Sequence, residues 1–251
     1  MSIINTFDNT TKAILSPEDF LGEHPKIADI CIATFSNAVR DMVIEKYNCE
    51  IVAYSGTTNG KIPIYRLKNT NNILFYMSPI GSAISGTVMD EVRCLTGVTK
   101  FVVFGSCGII DPQCKTQIIV PTAAYRDEGF SYHLAPADDY IDVNNHNKVK
   151  AIFDKFNIEY TMGKVWTTDA LYRETIKNKD TRKAEGCICV DMECSGLQAL
   201  CNFRGLEYYT FFFSGDSLAN HEWEQRILGT EAEDDTQNAC FKLALTIAEN
   251  I

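Results

Sequence analysis

Along this chain, short apolar runs rich in β-branched and aromatic residues alternate with stretches whose apolar positions recur every three or four residues. Residues 28–34 read as a strand and 37–47 carry helical spacing. Residues 50–55 and 61–67 are two β runs joined by Thr58-Asn59-Gly60-Lys61, where Asn-Gly is a strong hairpin turn. A strand at 72–77 precedes the small-residue loop Gly81-Ser82-Ala83, and 87–95 again looks helical. Residues 100–104 form a buried strand ending in Gly105-Ser106-Cys107-Gly108. Strands at 117–121, 159–165, 187–191 and 207–213 continue the series, with helices at 145–156, 194–204 and 230–250.

This alternation predicts an α/β fold with a largely parallel or mixed sheet and helices on both faces. No repeat, low-complexity tract or Pro/Gly-rich linker interrupts it, so residues 1–251 are expected to form one domain. Ligands of such sheets bind beyond the carboxyl ends of the strands. This chain places its glycines and acids at those ends.

Composition narrows the partners. A net charge of -10 argues against a general nucleic-acid surface, which needs a concentrated positive field. One local pocket can still oppose the global sign and hold a small anion. No apolar run has the length of a membrane span, and the first residues open no signal sequence, so a cytoplasmic protein without membrane contact is expected. Ten cysteines lie scattered, most inside apolar runs, which suits buried, reduced thiols. Cys187-x-Cys189 has no second pair at zinc spacing and reads as strand filler, so no metal site is expected.

The most informative stretch is Val190-Asp191-Met192-Glu193-Cys194-Ser195-Gly196, between a strand-like and a helix-like run. A carboxylate beside a thioether suits a sugar with vicinal hydroxyls: the acid accepts from two O–H groups while the methionine packs on the ring. Equally, Glu193 at a helix start would complement the helix dipole and nothing more. Four further segments carry polar chemistry. Gly105-Ser106-Cys107-Gly108 offers close backbone approach plus a hydroxyl, a phosphate or ribose cradle or else a plain tight turn. Thr167-Thr168-Asp169-Ala170-Leu171-Tyr172-Arg173-Glu174 offers an apolar–aromatic pair for a flat heterocycle, or a structural loop with an Asp169–Arg173 pair. Phe213-Ser214-Gly215-Asp216 places an acid after a very apolar strand, where burial would make it a proton donor; a helix N-cap is the plainer reading. His133 lies among aromatic residues, where a satisfied, partly buried ring is the more common role.

In their order and spacing these segments resemble the nucleoside phosphorylases of the hexameric purine and uridine phosphorylase type, which also include the methylthioadenosine nucleosidases. The likeness runs from about Ile51 to Asp216 and includes the hairpin from Ser55-Gly56-Thr57 to Gly60. It implies a three-layer α/β/α fold around a mixed, partly barrel-like sheet. It also implies phosphorolysis of a nucleoside to free base and ribose 1-phosphate, with inorganic phosphate as co-substrate and no cofactor. By this resemblance Met192 and Glu193 hold the ribose, and Gly81, Ser106 and Arg40 serve phosphate. Cys107, Gly108, Leu171, Tyr172, Val190 and Asp191 border the base. Asp216 protonates N7 of a departing purine, with Arg226 assisting. A homo-oligomer built from dimers, with a hexamer favoured, follows from sites that borrow residues across subunits.

The chain departs from the family pattern in its cations. Val103 stands where the family carries an arginine two residues before the first glycine of the phosphate loop. Ala33-Thr34-Phe35-Ser36-Asn37 replaces an arginine-bearing Gly-Asp-Pro turn, and no arginine lies near Cys49. Arg40, Arg93 and Arg126 remain as phosphate candidates; alternatively water replaces phosphate, or the pocket binds without turnover. A purine is favoured because Asp216 needs an N7, whereas Tyr125-Arg126-Asp127-Glu128-Gly129-Phe130-Ser131-Tyr132-His133 looks more like the uridine branch.

Overall fold

The computed structural model describes residues 2–57, 60–68, 70 and 72–251. Its strands are β1 (Ile30–Thr34), β2 (Cys49–Thr57), β3 (Gly60–Leu67), β4 (Ile73–Met77), β5 (Lys100–Ile109), β6 (Ile118–Asp127), β7 (Tyr140–Asp142), β8 (Thr161–Thr168), β9 (Cys187–Asp191) and β10 (Glu207–Ser217). Its helices are α1 (Pro17–Leu21), α2 (Asn37–Lys46), α3 (Ser82–Thr96), α4 (His146–Lys155), α5 (Ile176–Ala184), α6 (Cys194–Arg204) and α7 (Glu231–Ala248). The hairpin β2–β3 pairs antiparallel from Cys49↔Leu67 to Thr57↔Gly60. The Thr58-Asn59 part of its expected turn lies outside the described residues.

β5 is the axis of the fold. Its first half pairs parallel with β1 on one side, Ile30↔Lys100 to Thr34↔Phe104, and with β10 on the other. Beyond β1 the sheet continues through β4, β3 and β2. On the opposite side β5, β10, β6, β8 and β9 close into a ring, because β9 returns to β5 at Gly108↔Val190 and Ile109↔Cys189. The sheet is therefore open at one end and a closed barrel at the other.

Alternation along β5 explains why both faces are covered. Phe101 and Val103 join a core with Val88, Met89 and Val92 of α3 and Leu197 and Leu200 of α6. Val102 and Phe104 point the other way, into a core with Val39 and Val43 of α2, Phe153 of α4 and Phe241 of α7. A period-two apolar strand with no polar face must be sandwiched between helix layers, and it is.

Three differences from the sequence reading have physical causes. Gly105-Ser106-Cys107-Gly108 and Ser214-Gly215-Asp216-Ser217 are strand, not turn, because each pairs with the other along β5 and β10, with a bulge at Gly215. α3 begins at Ser82, five residues before the expected helix, with Gly81 as its N-cap at φ +100°, a conformation that favours glycine. α5 has no apolar stripe, since Lys179 is its one buried residue, so periodicity gave no sign of it. All ten cysteines are free thiols, and Cys187 and Cys189 pack inside β9. Among the described residues no helix is long and apolar enough to cross a membrane.

Candidate active site

Between leaving β1 after Phe104 and meeting β9 at Gly108, β5 has no neighbour on that side. Two of the three intervening residues, Ser106 and Cys107, line a cavity of about 240 Å³ at the point where sheet and barrel diverge. Ser106, Cys107 and Gly108 line it from β5, Val190 and Asp191 from β9, Met192 and Glu193 from the turn into α6, and Asp216 from β10. Leu171 reaches it from the 3-10 turn Leu171–Arg173. Phe35, Ile80, Glu174, Leu218 and Leu228 complete the walls and were not singled out from the sequence. Phe35 and Glu174 fall within segments read from the sequence without being chosen as site residues, and Leu228 belongs to a loop with no motif.

At one end the turn Asp191-Met192-Glu193 is rigidly built. Asp191 accepts the Thr167 hydroxyl at 2.6 Å on one oxygen, and the amides of Glu193 and Cys194 at 3.0 and 2.7 Å on the other. The helix-capping role considered for Glu193 thus falls to Asp191. Glu193 instead accepts the Gly81 amide at 2.6 Å, while Ser82 donates its hydroxyl to the Met192 carbonyl at 2.9 Å. Burial, and then the charge of Asp191 beside it, pushes the Glu193 carboxyl well above the usual range. A ligand offering two hydroxyl donors would reverse that shift, because donors favour the carboxylate.

At the other end Asp216 is also pushed upward by burial. The Trp223 indole N–H donates to its Oδ2 at 2.7 Å and, together with the charge of Arg226, pulls back toward the ionised form. Arg226 does not line the cavity; it donates to the Ser214 hydroxyl at 3.2 Å from a left-handed loop position. Glu174, beside Asp216, is raised from its ordinary 4.5 to about 7 by burial and then by the Asp216 charge.

Several expected contacts fall elsewhere. Tyr172 is 95% exposed and stands outside the cavity of this chain, and His133 is exposed as well. Asp169 accepts the Gly129 amide rather than pairing with Arg173. Arg40 lies in a separate groove with Lys61 and Met77, its Nε on Asp41. Arg93 is engaged by Glu18 and Asp90. Arg126 is buried, donates to Ser131 and to the carbonyls of Ala135, Pro136 and Asp138, and stacks on Tyr132. These two arginines are structural, so neither reaches a ligand in the cavity.

A half-barrel with acids and small residues converging at the strand ends defines a class of fold built to enclose one small polar ligand. The chain belongs to the phosphorylase superfamily, whose family model matches residues 29–249. It is 27% identical, over 164 residues, to a DeoD-type purine nucleoside phosphorylase of Caldanaerobacter subterraneus subsp. tengcongensis, covering 64% of this chain and 69% of that protein. An uncharacterized protein of Acanthamoeba polyphaga mimivirus is 29% identical over 139 residues, covering 55% of this chain and 54% of its own. Among solved structures, a futalosine hydrolase mutant of Helicobacter pylori superposes with a TM-score of 0.70 at 14% identity. That match covers 90% of this chain and all of the hydrolase, and establishes the shared fold.

Proposed function

We propose that this protein cleaves the N-glycosidic bond of a purine nucleoside, transferring the ribose to inorganic phosphate. The observation that carries this reading is the opposition, in one cavity, of Met192 and Glu193 to Asp216. Bond breaking leaves positive charge on the sugar and negative charge on the base. An ionised Glu193 under the ribose and a proton on Asp216 at the base each oppose the charge that develops. Ser106 and the unpaired edge of β5 lie where the attacking group would enter, beside Gly81, and Cys107, Gly108, Leu171 and Val190 provide the surface for the base. Asp191 contributes by locking the turn. The similarity to DeoD-type purine nucleoside phosphorylases supports both the purine and phosphate as acceptor.

One observation favours water as acceptor instead: among the described residues no arginine or lysine lines the cavity, which holds Glu174, Asp191, Glu193 and Asp216. A phosphate dianion there needs a cation, and Arg40 or a residue of another subunit would have to supply it. Exposed Ile80, Leu171 and Tyr172 around the mouth suit cover by a second copy in an oligomer built from dimers. The test is to incubate inosine, adenosine and uridine with the protein, with and without phosphate. Phosphate-dependent release of hypoxanthine or adenine, with ribose 1-phosphate formed, is expected. Release independent of phosphate assigns hydrolysis; ligand-dependent melting shifts with no turnover assign a binding protein.

A further inference from the structure

Glu174 has no place in the reading above, yet it is the one cavity carboxyl without a protein partner. Asp191 is held by Thr167 and two amides, Glu193 by Gly81, and Asp216 by Trp223. Among the described residues nothing donates to Glu174 or pairs with it. Its backbone is fixed nonetheless. The preceding turn closes with the Arg173 amide on the Ala170 carbonyl at 2.7 Å, and Thr175 next to it caps α5 through the Asn178 amide. A carboxyl fixed at a defined place in a cavity wall and bonded to no protein group is available to a ligand.

We infer that Glu174 is the specificity-determining residue for the base, reading an edge on which a ring nitrogen adjoins an exocyclic oxygen or amine. The inference rests on the nucleoside reading given above. Glu174 lines the cavity with Asp216 and Leu171 and follows the latter by three residues, so it belongs to the base end. A carboxylic acid presents one donor and one acceptor side by side. That pair matches N1–H and O6 of a 6-oxopurine, or N1 and the 6-amino group of a 6-aminopurine.

Burial, and then the charge of Asp216, raises the acid toward its protonated form. Asp216 of β10 is its charged neighbour, and Asp191 and Glu193 line the same cavity from β9 and the turn into α6. Arg173, adjacent in sequence, is exposed and makes no ion pair among the described residues, Lys179 reaches Asp180 and the Ala219 carbonyl, and Lys177 lines a different groove. Arg226 acts on Asp216. With its value near 7, Glu174 loses its donor as the solution becomes alkaline.

The test compares inosine with 1-methylinosine, whose methyl group blocks the edge while leaving the glycosidic bond and N7 intact. The wild-type protein is expected to prefer inosine by about 10²-fold or more in kcat/KM, since a site made to hydrogen-bond an edge rejects one that cannot answer it. In Glu174→Ala the two nucleosides should fall within about threefold of each other, through loss on inosine. Glu174→Gln keeps a donor and an acceptor, so it should retain the preference for inosine at every pH, whereas in the wild type that preference should shrink as the pH rises through about 7. Equal slowing of both nucleosides in Glu174→Ala, or no change on inosine, would overturn the inference while leaving the nucleoside reading intact. Wild-type turnover of both nucleosides at equal rates would do the same. If the wild-type protein turns over no nucleoside at all, the functional reading fails and this inference falls with it.

Discussion

β9 with the turn after it, and β10, deliver acids to one cavity, but these acids are held in different ways. After β9, Asp191 gathers three donors in the interior and Glu193 is clamped by the Gly81 amide. On β10, the Asp216 carboxyl accepts from Trp223, an indole that is 59% exposed on a loop containing left-handed His221 and Arg226. Under the proposed reading, the first arrangement suits the ribose, the part of the ligand that stays the same. The second, with one partner on an exposed loop, suits a group that would give up a proton during bond cleavage.

The hardest way to break this contrast is to remove the acids themselves. Glu193→Ala should lower kcat/KM on ribosides by about 10³-fold, the loss of two charge-assisted hydrogen bonds at about 1.5–3 kcal/mol each, while leaving free-base affinity largely intact. Equal loss for base and nucleoside, measured by calorimetry and initial rates, would contradict the ribose role. Asp216→Asn should reduce purine turnover by about 10²–10⁴-fold with nucleoside binding preserved; unchanged turnover would remove Asp216 as the acid.

Asp191→Ala tests the rigidity of the β9 end. It strands the Thr167 hydroxyl and two buried amides, so denaturant unfolding should show a loss of about 2–4 kcal/mol. A loss below about 0.5 kcal/mol would mean that the turn holds itself. Trp223→Phe probes the adjustable end more gently. Without an N–H donor on Oδ2, the Asp216 carboxyl should titrate higher, moving the alkaline fall of kcat to higher pH with a rate change of no more than about tenfold. An unmoved pH profile would detach the indole from the chemistry.

The smallest effect is on stability. Glu174 titrates higher in the folded protein, about 7, than its ordinary 4.5, so the folded state binds this proton more tightly. The resulting stabilisation is complete below about pH 4.5 and disappears as pH rises through about 7. The melting temperature of the wild-type protein should therefore fall over that window by more than that of Glu174→Gln. Parallel melting curves across the window would show that Glu174 is not the group responsible.

Much of this was legible beforehand. The strand–helix alternation and both helix layers follow from local patterns, because periodicity is a property of short segments, whereas the meeting of Ser106, Met192, Glu193 and Asp216 in one cavity is a property of the fold. α5 was not legible, since a helix that buries one lysine leaves no apolar stripe. The strand character of Gly105–Gly108 was hidden too, because glycine-rich segments read as turns until a neighbour pairs with them.

What the sequence by itself determined was the α/β layering and the presence of a carboxylate–thioether pair beside a helix start. What only the tertiary structure decided was which charges share the cavity. Asp191 meets Thr167 from 24 positions away and Glu193 meets Gly81 from 112, while Arg93 and Arg126 are consumed by partners of their own. Burial and electrostatics depend on neighbours in space, and chain closure alone brings Glu174 to the side of Asp216.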